Sequence, residues 1–386
     1  MQRTWLTGLL ILGLAACRFS VQTDDDDKAG KDGPRRSAAA VRPSATPAPD
    51  AMAAVDPTPG ATPDPARVDD RPRPTMQLQV VLDRLGFTPG VVDGKPGLST
   101  RNALAGFQEA HGLTVTGEPD AATTQALRPW ATIPATRVVT IAADFAAGPF
   151  VATPKASEDQ ARLPVLDYQS LDEKLAERFH TTPATVLALN PDVAARPATT
   201  AGDAVPAHFR AGDKVRVPNV GADRIDAGAV SDPKWRATLA TLGVGTDQPK
   251  VMRIVVSKSK GTLKAYDADG RLVAVYTATM GSQHDPLPLG EWKVVGVSHN
   301  PDFAFDPRLL WDVPDSDGKQ HLPPGPNGPV GVAWIKLDKP HYGIHGTPEP
   351  ESIGRAQSHG CVRLTNWDVA RLAQMVHVGT RVSFVS

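Results

Sequence analysis

Ten prolines fall between residues 34 and 74 of this 386-residue chain, and almost no large apolar side chain falls among them. Proline fixes φ and removes a backbone donor, and a stretch this poor in apolar surface cannot offset its own ordering entropy. Residues 18–74 are therefore expected to be a disordered Pro/Ala-rich tether. Its densest part, roughly 45 residues, could span on the order of 100 Å if mostly polyproline-like. The run Asp24 to Asp27 before Lys28 reads as a solvated spacer or a protease-recognition sequence, and no folded element is built on it.

The first 17 residues have a different character. Arg3, the apolar run Leu9 to Leu14 and the small residues Ala15 and Ala16 before Cys17 form a secretory signal pattern, too short for a stable membrane span. Leu14-Ala15-Ala16-Cys17 resembles the lipobox of bacterial lipoproteins, which implies lipidation at Cys17 and a membrane-anchored protein of the periplasm or cell envelope. The chain has two cysteines. With Cys17 acylated, Cys361 has no disulfide partner within the chain and stands as a lone thiol in an oxidising compartment. The formal charge of −1 gives no reason to expect nucleic acid binding.

Between residues 75 and 130, Leu78, Val81, Leu82 and Leu85 recur at helical spacing. Ser99 can cap a second helix carrying Leu104 and Phe107, and Asp120 a third ending near Leu127. Two turns echo each other, Gly86-Phe87 with Gly90 and Asp93, then Gly112-Leu113 with Gly117 and Asp120, as in a duplicated helix-turn unit. Leu-Gly-Phe, Val-Asp-Gly, Ser-Thr-Arg-Asn-Ala-Leu, Phe-Gln and Gly-Glu-Pro-Asp resemble the peptidoglycan-binding type 1 domain, a small all-α three-helix module. Residues 160–220 carry a capping box at Ser170 opening a helix, Pro183 in the first turn of another, Asn190-Pro191 as its stop, and Lys214 to Pro218 as a strand. This order resembles a degenerate α+β LysM-like segment. It lacks that family's Gly-Asp-Thr start, and an insertion separates Asn190 from Phe209.

From residue 248 to 386 the pattern turns β-like. Val251 to Val256, Thr262 to Tyr266, Leu272 to Thr277 and Glu291 to Val297 are rich in β-branched and aromatic residues, and Asp269-Gly270 marks a hairpin. One helix is expected, capped by Asn366, carrying Val369, Leu372, Ala373 and Val376, and closed by Gly379. A mainly antiparallel β-sandwich or barrel with one prominent helix follows. Asn300 to Pro329 holds ten Pro or Gly residues and reads as a long functional loop.

The chemistry concentrates at Ser358-His359-Gly360-Cys361-Val362-Arg363, with His345-Gly346-Thr347 upstream. A thiol needs an imidazole or convergent N–H groups to hold its anion. His359 and His345 both offer an imidazole. On an extended segment His359 would share the face of Cys361, whereas a separate strand can aim His345 at the sulfur. A zinc site using Cys361, His345 and His359 matches no common ligand spacing, and no metal or cofactor is expected.

Together with Ser352-Ile353-Gly354, Pro288-Leu289-Gly290 and the block Pro323 to Pro329, these motifs resemble the L,D-transpeptidase (YkuD-like) catalytic domain over roughly residues 250–386. The resemblance implies Cys361 as nucleophile, His345 as its base and the main-chain carbonyl of Gly346 as the group orienting the ring. It implies an oxyanion hole at residues 359–361, with Ser358, His359 and Gly360 shaping the site. Arg363 is a candidate for holding a substrate carboxylate, and Tyr342 for lining the substrate site. His341 is expected at the surface or in packing, Trp311 and Trp334 in a groove or the core, and His284, His299 and His321 in no role.

The activity so implied is cell-wall transpeptidation. Cys361 attacks the bond between the third and fourth residues of a peptidoglycan stem, releases the terminal D-amino acid and passes the acyl group to an amine, in a carbapenem-sensitive step. The acceptor is another stem in a 3→3 crosslink, a lysine of an outer-membrane lipoprotein, or water in an L,D-carboxypeptidase. A non-catalytic wall-binding scaffold is the rival reading, with stem peptides and glycan as partners in either case.

Overall fold

The structure, a computed structural model, describes residues 69, 71–200, 202–222, 225–309, 318–356 and 360–386. The signal segment, Cys17, nearly all of the tether, Trp311, Ser358 and His359 lie outside the described residues. Among those described, no helix is long and apolar enough to cross a membrane.

The helical module comprises α1 (Pro74–Arg84), a two-residue strand β1 (Phe87–Thr88), α2 (Leu98–Ala110) and α3 (Ala121–Ala126). Asp120 caps α3 by accepting from the Thr123 N–H. Ser99 does not cap α2: the helix begins at Leu98, after an extended Gly97, so Ser99 already lies in the first turn. The echoing turns have a matching anchor. Gln79 accepts from Gly94 N–H at 2.7 Å, and Gln108 accepts from Thr116 and Gly117 N–H at 2.9 and 2.8 Å. Each buried glutamine thereby satisfies the backbone of the glycine turn that follows its helix.

The central segment opens with β2 (Thr136–Thr140), upstream of residue 160 where the sequence pattern begins. It continues through α4 (Ser157–Gln160), α5 (Leu171–Arg178), α6 (Pro183–Leu189), α7 (Pro191–Ala194) and β3 (Lys214–Pro218). β2 and β3 pair antiparallel, and Ser170 and Thr182 cap α5 and α6 as Pro183 and the capping box foretell. The apolar core here, Leu171, Leu175, Phe179, Val215 and Val217, also takes in Met76 and Val80 of α1.

A helix missed in the sequence, α8 (Pro233–Leu242), precedes the last region and buries Trp235, Leu239 and Leu242. Then come β4 (Arg253–Ser257), β5 (Thr262–Tyr266), β6 (Leu272–Thr277), β7 (Thr279–Met280), β8 (Gly290–His299), β9 (Phe303–Phe305), β10 (Gln320–Leu322), β11 (Ala333–Leu337), β12 (Gly343–His345), β13 (Val362–Arg363), α9 (Asn366–Met375) and β14 (Arg381–Val385). Ten strands form one mainly antiparallel sheet in the order β1-β6-β5-β4-β14-β8-β11-β12-β13-β7. The chain passes from β6 to β7 through Ala278 alone, yet these strands lie near opposite ends of that order, so the sheet must curl until its ends meet. The expected loop from Asn300 to Pro329 instead carries the β9–β10 ribbon. α9 is capped by Thr365, which accepts from Asp368 N–H, and not by Asn366, whose side chain is engaged elsewhere.

The three regions share one interior. β1 of the helical module extends the sheet by pairing in parallel with β6, which covers an edge that would otherwise be open. α2 lies so close that a Cβ on Gly106 would stand 2.5 Å from Val275. Deeper still, the Asp83 carboxylate at the end of α1 accepts from Arg371 of α9 at 2.7 and 3.3 Å and faces His180 Nδ1 at 3.1 Å. His180 Nε2 lies 3.0 Å from the Leu242 carbonyl, and its ring stacks on Trp367. Burial alone would raise Asp83, but the charges of Arg371 and His180 outweigh it and hold the carboxyl well below its usual range.

Removing one partner of such a pair leaves a buried charge uncompensated. Asp83→Asn is expected to lower unfolding free energy by about 3–5 kcal/mol in urea at pH 7. The wild-type group contributes above its ordinary pKa of 3.8 and loses that contribution as pH falls through the depressed folded value. The gap between wild type and variant should therefore close on acidification below 3.8.

Candidate active site

Cys361 follows Gly360 and precedes β13, which runs parallel to β12 with Ile344 opposite Val362 and His345 opposite Arg363. The register puts Gly343 beside Cys361. Because strand side chains alternate, Cys361, His345 and Arg363 share one face of this pair. The register thus puts the imidazole and the thiol on one face of neighbouring strands.

Each neighbour on that face constrains the next. His345 is buried at 4% exposure, its ring stacked on half-buried Trp334 of β11 at 5.2 Å between centroids and 16° between planes. Its Nδ1–H donates to the Gly346 carbonyl at 2.7 Å, which leaves Nε2 as the nitrogen able to take a proton. Burial, reinforced by the Arg363 charge and opposed by the Gly346 carbonyl, holds the imidazolium down at about 3, so the ring is neutral at physiological pH.

The thiol moves the opposite way. Burial pushes it above the ordinary 9.0 and Asp285 adds to this, against the pull of the Gly343 N–H and the Arg363 charge. The sulfur also lies 3.6 Å from the His341 carbonyl oxygen, which fits an S–H donor. The resting pair is therefore a thiol and a neutral imidazole. An ion pair would require both groups to move against their burial.

Two glycines are required by contact. Gly360, at φ +91°, lies beneath the Tyr342 ring, and a Cβ there would come within 2.7 Å of Tyr342 Cε1. Gly346 faces the α9 N-terminus, where a Cβ would stand 2.3 Å from Asn366 Oδ1. Tyr342 is itself raised above 10.0, by burial first, then by Asp285 and Cys361. Lys339 lies over its ring at 4.7 Å and over Trp292 at 5.2 Å.

Of the residues singled out in the sequence, Cys361, His345, Gly346, Gly360, Arg363, Tyr342 and Trp334 converge here. Ser358, His359, Trp311 and the lipidation candidate Cys17 lie outside the described residues. His299 stacks on Trp235 away from the thiol, and His321 pairs with Asp302 on the ribbon. The sequence reading missed the His341 carbonyl, which a left-handed φ of +66° helps to place, and Asp285, which no local pattern marks. No cluster of three or more His, Cys, Asp or Glu able to hold a metal occurs among the described residues.

Residues 252–383 match the L,D-transpeptidase catalytic domain family, and residues 73–127 match a putative peptidoglycan binding domain. A putative L,D-transpeptidase YkuD of Bacillus licheniformis is 40% identical over 131 residues, covering 34% of this chain and 64% of that protein, so the chain spans just under two thirds of its length. A putative L,D-transpeptidase YqjB of Bacillus subtilis is 33% identical over 135 residues, covering 33% of this chain and 68% of the relative. A solved L,D-transpeptidase from Mycobacterium smegmatis aligns at 24% identity over 34% of this chain and 58% of that one, with a TM-score of 0.29.

A neutral resting pair makes a specific demand on reactivity. Alkylation of Cys361 by iodoacetamide should climb with pH up to and beyond 9.0, with no plateau between pH 5 and 8; a flat rate there would mean a thiolate–imidazolium pair. Gly360→Ala should lower the unfolding free energy by about 1–2 kcal/mol or more in urea, through left-handed backbone strain together with displacement of Tyr342.

Proposed function

This chain belongs to the L,D-transpeptidase family, and from that premise we propose that it is a cell-wall L,D-transpeptidase acting on peptidoglycan stem peptides. The observation that carries the reading is the His345 Nδ1–H bond to the Gly346 carbonyl, on a strand whose register sets His345 on the face of Cys361. That bond fixes the tautomer in which Nε2 is a base.

The chemistry proceeds in two halves. Nε2 takes the thiol proton as sulfur attacks the carbonyl between the third and fourth stem residues. Backbone N–H groups at Gly360 and Cys361 are the described candidates to hold the tetrahedral oxyanion, and the candidates Ser358 and His359 lie outside the described residues; losing one such donor typically costs about 3–4 kcal/mol. The intermediate collapses, the C–N bond breaks, and the leaving D-amino acid takes the proton from His345. A thioester remains on Cys361. An incoming amine then loses its proton to the same imidazole as it displaces sulfur, giving a 3→3 crosslink or attachment to a protein lysine; water gives a trimmed stem.

The surroundings suit that substrate. The Arg363 charge is felt by both His345 and Cys361, which supports its candidacy for holding a stem carboxylate, and Tyr342, packed over Gly360, is the candidate for lining the substrate site. The helical module supplies peptidoglycan affinity, and the central segment is a candidate glycan reader. The N-terminal pattern supports a location in the cell envelope, anchored by lipid at Cys17.

Cys361→Ala should abolish covalent labelling by a carbapenem and all changes in wall digests, whereas Arg363→Gln should keep labelling and raise KM for the stem peptide roughly tenfold or more, the effect of losing one charged contact of ~1.4 kcal/mol. Mass spectrometry of digests after incubation with the wild-type protein is expected to show new crosslinks or trimmed stems. Labelling that survives in Cys361→Ala places the nucleophile elsewhere, and a wild-type protein that leaves digests unchanged is a wall-binding scaffold.

A further inference from the structure

We propose that Glu177, in the central segment and outside the catalytic domain, is a positioning residue for His345, acting through Asn366. The inference rests on the transpeptidase reading above for its kinetic consequence only; the coupling itself is structural.

Glu177 lies near the end of α5 at 5% exposure. Two groups meet its carboxyl from different parts of the chain. The hydroxyl of Tyr168, nine residues before Glu177, lies 3.0 Å from Oε2, and Asn366 Nδ2 donates to Oε1 at 3.0 Å. Asn366 is available because Thr365 caps α9 in its place. Burial first, then the neighbouring Glu173, pushes the Glu177 carboxyl up to about 8, against the bonds from Tyr168 and Asn366, so it is mainly uncharged at neutral pH.

The Asn366 amide is held from both ends. Nδ2 donates to Glu177 and also to the Pro326 carbonyl at 3.1 Å, while Oδ1 accepts from Val332 N–H at 3.3 Å. A flipped amide would set its NH2 against the Val332 N–H, donor against donor, turn its oxygen towards the Pro326 carbonyl and leave Glu177 Oε1 without its donor. Glu177 therefore helps decide which end faces the active site. That end is tightly enclosed: a Cβ on Gly331 would stand 2.0 Å from Asn366 Oδ1, and one on Gly346 2.3 Å. Gly346 in turn donates its N–H to Val330 at 3.0 Å and offers its carbonyl to His345 Nδ1 at 2.7 Å. A displacement of the amide is passed to the peptide that fixes the imidazole.

The second acceptor belongs to the same arrangement. Pro326 sits in the Pro-Gly block that the central segment grips, with Leu166 N–H donating to Pro324 at 2.9 Å, Asn327 N–H to Leu166 at 2.9 Å and Asn327 Nδ2 to Asp167 at 2.9 Å. Gly325 is pressed against the same segment, since a Cβ there would stand 2.1 Å from the Leu166 carbonyl oxygen. The central segment thus supplies or holds both acceptors that orient Asn366.

The test uses the full chain labelled with 15N-histidine. The His345 Nδ1–H resonance is read by NMR, and kcat and KM are measured with a tetrapeptide donor. Glu177→Gln, which keeps an acceptor and mimics the uncharged acid, should match wild type in both. Glu177→Leu should shift or broaden the His345 resonance and lower kcat roughly tenfold to a hundredfold with KM unchanged, the size expected for a small misplacement of a reacting group. Thr181→Val removes a buried bond from Thr181 to the Val92 carbonyl, away from the active site; it should lower thermal stability and move neither readout. A wild-type resonance and kcat in Glu177→Leu overturn the proposal, as does a kcat loss in Thr181→Val equal to that of Glu177→Leu. If Glu177→Leu does not fold, Tyr168→Phe decides: a displaced His345 resonance supports the coupling and an unchanged one overturns it. A wild-type protein without turnover defeats the transpeptidase reading, while the resonance still decides the coupling.

Discussion

The buried carboxylate of Asp83 is the interaction on which the rest of this architecture depends. It sits on the first folded helix yet finds Arg371 on the last one, with His180 of the central segment on its other side. Taking three such groups out of water is unfavourable unless each finds its partners. That requirement removes most freedom from the arrangement of the three regions. An arginine–carboxylate fork needs a definite distance and plane, and the His180 ring stacked on Trp367 fixes a second direction. Apolar packing of α1 against both neighbours supplies the bulk of the contact, and the polar junction selects one packing among many.

What the sequence disclosed was what local rules govern. β5 and β6 occupy the stretches that alternation marked, with Gly270 at φ +77° between them, because a hairpin depends on neighbours in sequence. The caps at Asp120 and Ser170 followed for the same reason. Where Thr365 caps the helix in place of Asn366, two adjacent residues could each serve, and the Asn366 amide is instead bonded to Glu177, 189 positions away. α8 does carry helix signals, with Asp232 as cap, Pro233 in the first turn, Trp235, Leu239 and Leu242 at i, i+4 and i+7 and a left-handed Gly243 at its end, whereas β1 carries none because two residues make no pattern until β6 lies beside them. At the active site the thiol and imidazole were legible as types, and their tautomer and charge were not, since burial sets both.

That burial has a consequence for how the site works. A thiolate–imidazolium pair formed in advance is ready but costs stability in a dry pocket. Here desolvation presses both groups towards neutrality, so a thiolate would form only as the imidazole takes its proton. Arg363 lowers both groups, which favours the thiolate and disfavours the imidazolium. Asp285 opposes it at the sulfur. Substrate that covers Asp285 or brings its own cation near it would tilt this balance towards reaction, so the electrostatics of the site are completed by what binds there.

The glycines show how closely distant parts of the chain meet around that chemistry. Gly360 gives way to Tyr342 just before β12, Gly331 and Gly346 give way to one amide oxygen of α9, and Gly325 gives way to a carbonyl of the central segment. A side chain at any of these positions would have to push aside backbone or a buried amide, and close-packed interiors yield little. The space behind the imidazole is therefore filled by backbone and by Asn366, whose orientation is shared between the catalytic sheet and the segment carrying Glu177. A catalytic domain cut away at residue 248 would keep its thiol, its base and the strands that bear them. It would leave the Asn366 amide facing solvent where Glu177 had been, and the peptide that fixes the base would lose its support from that side.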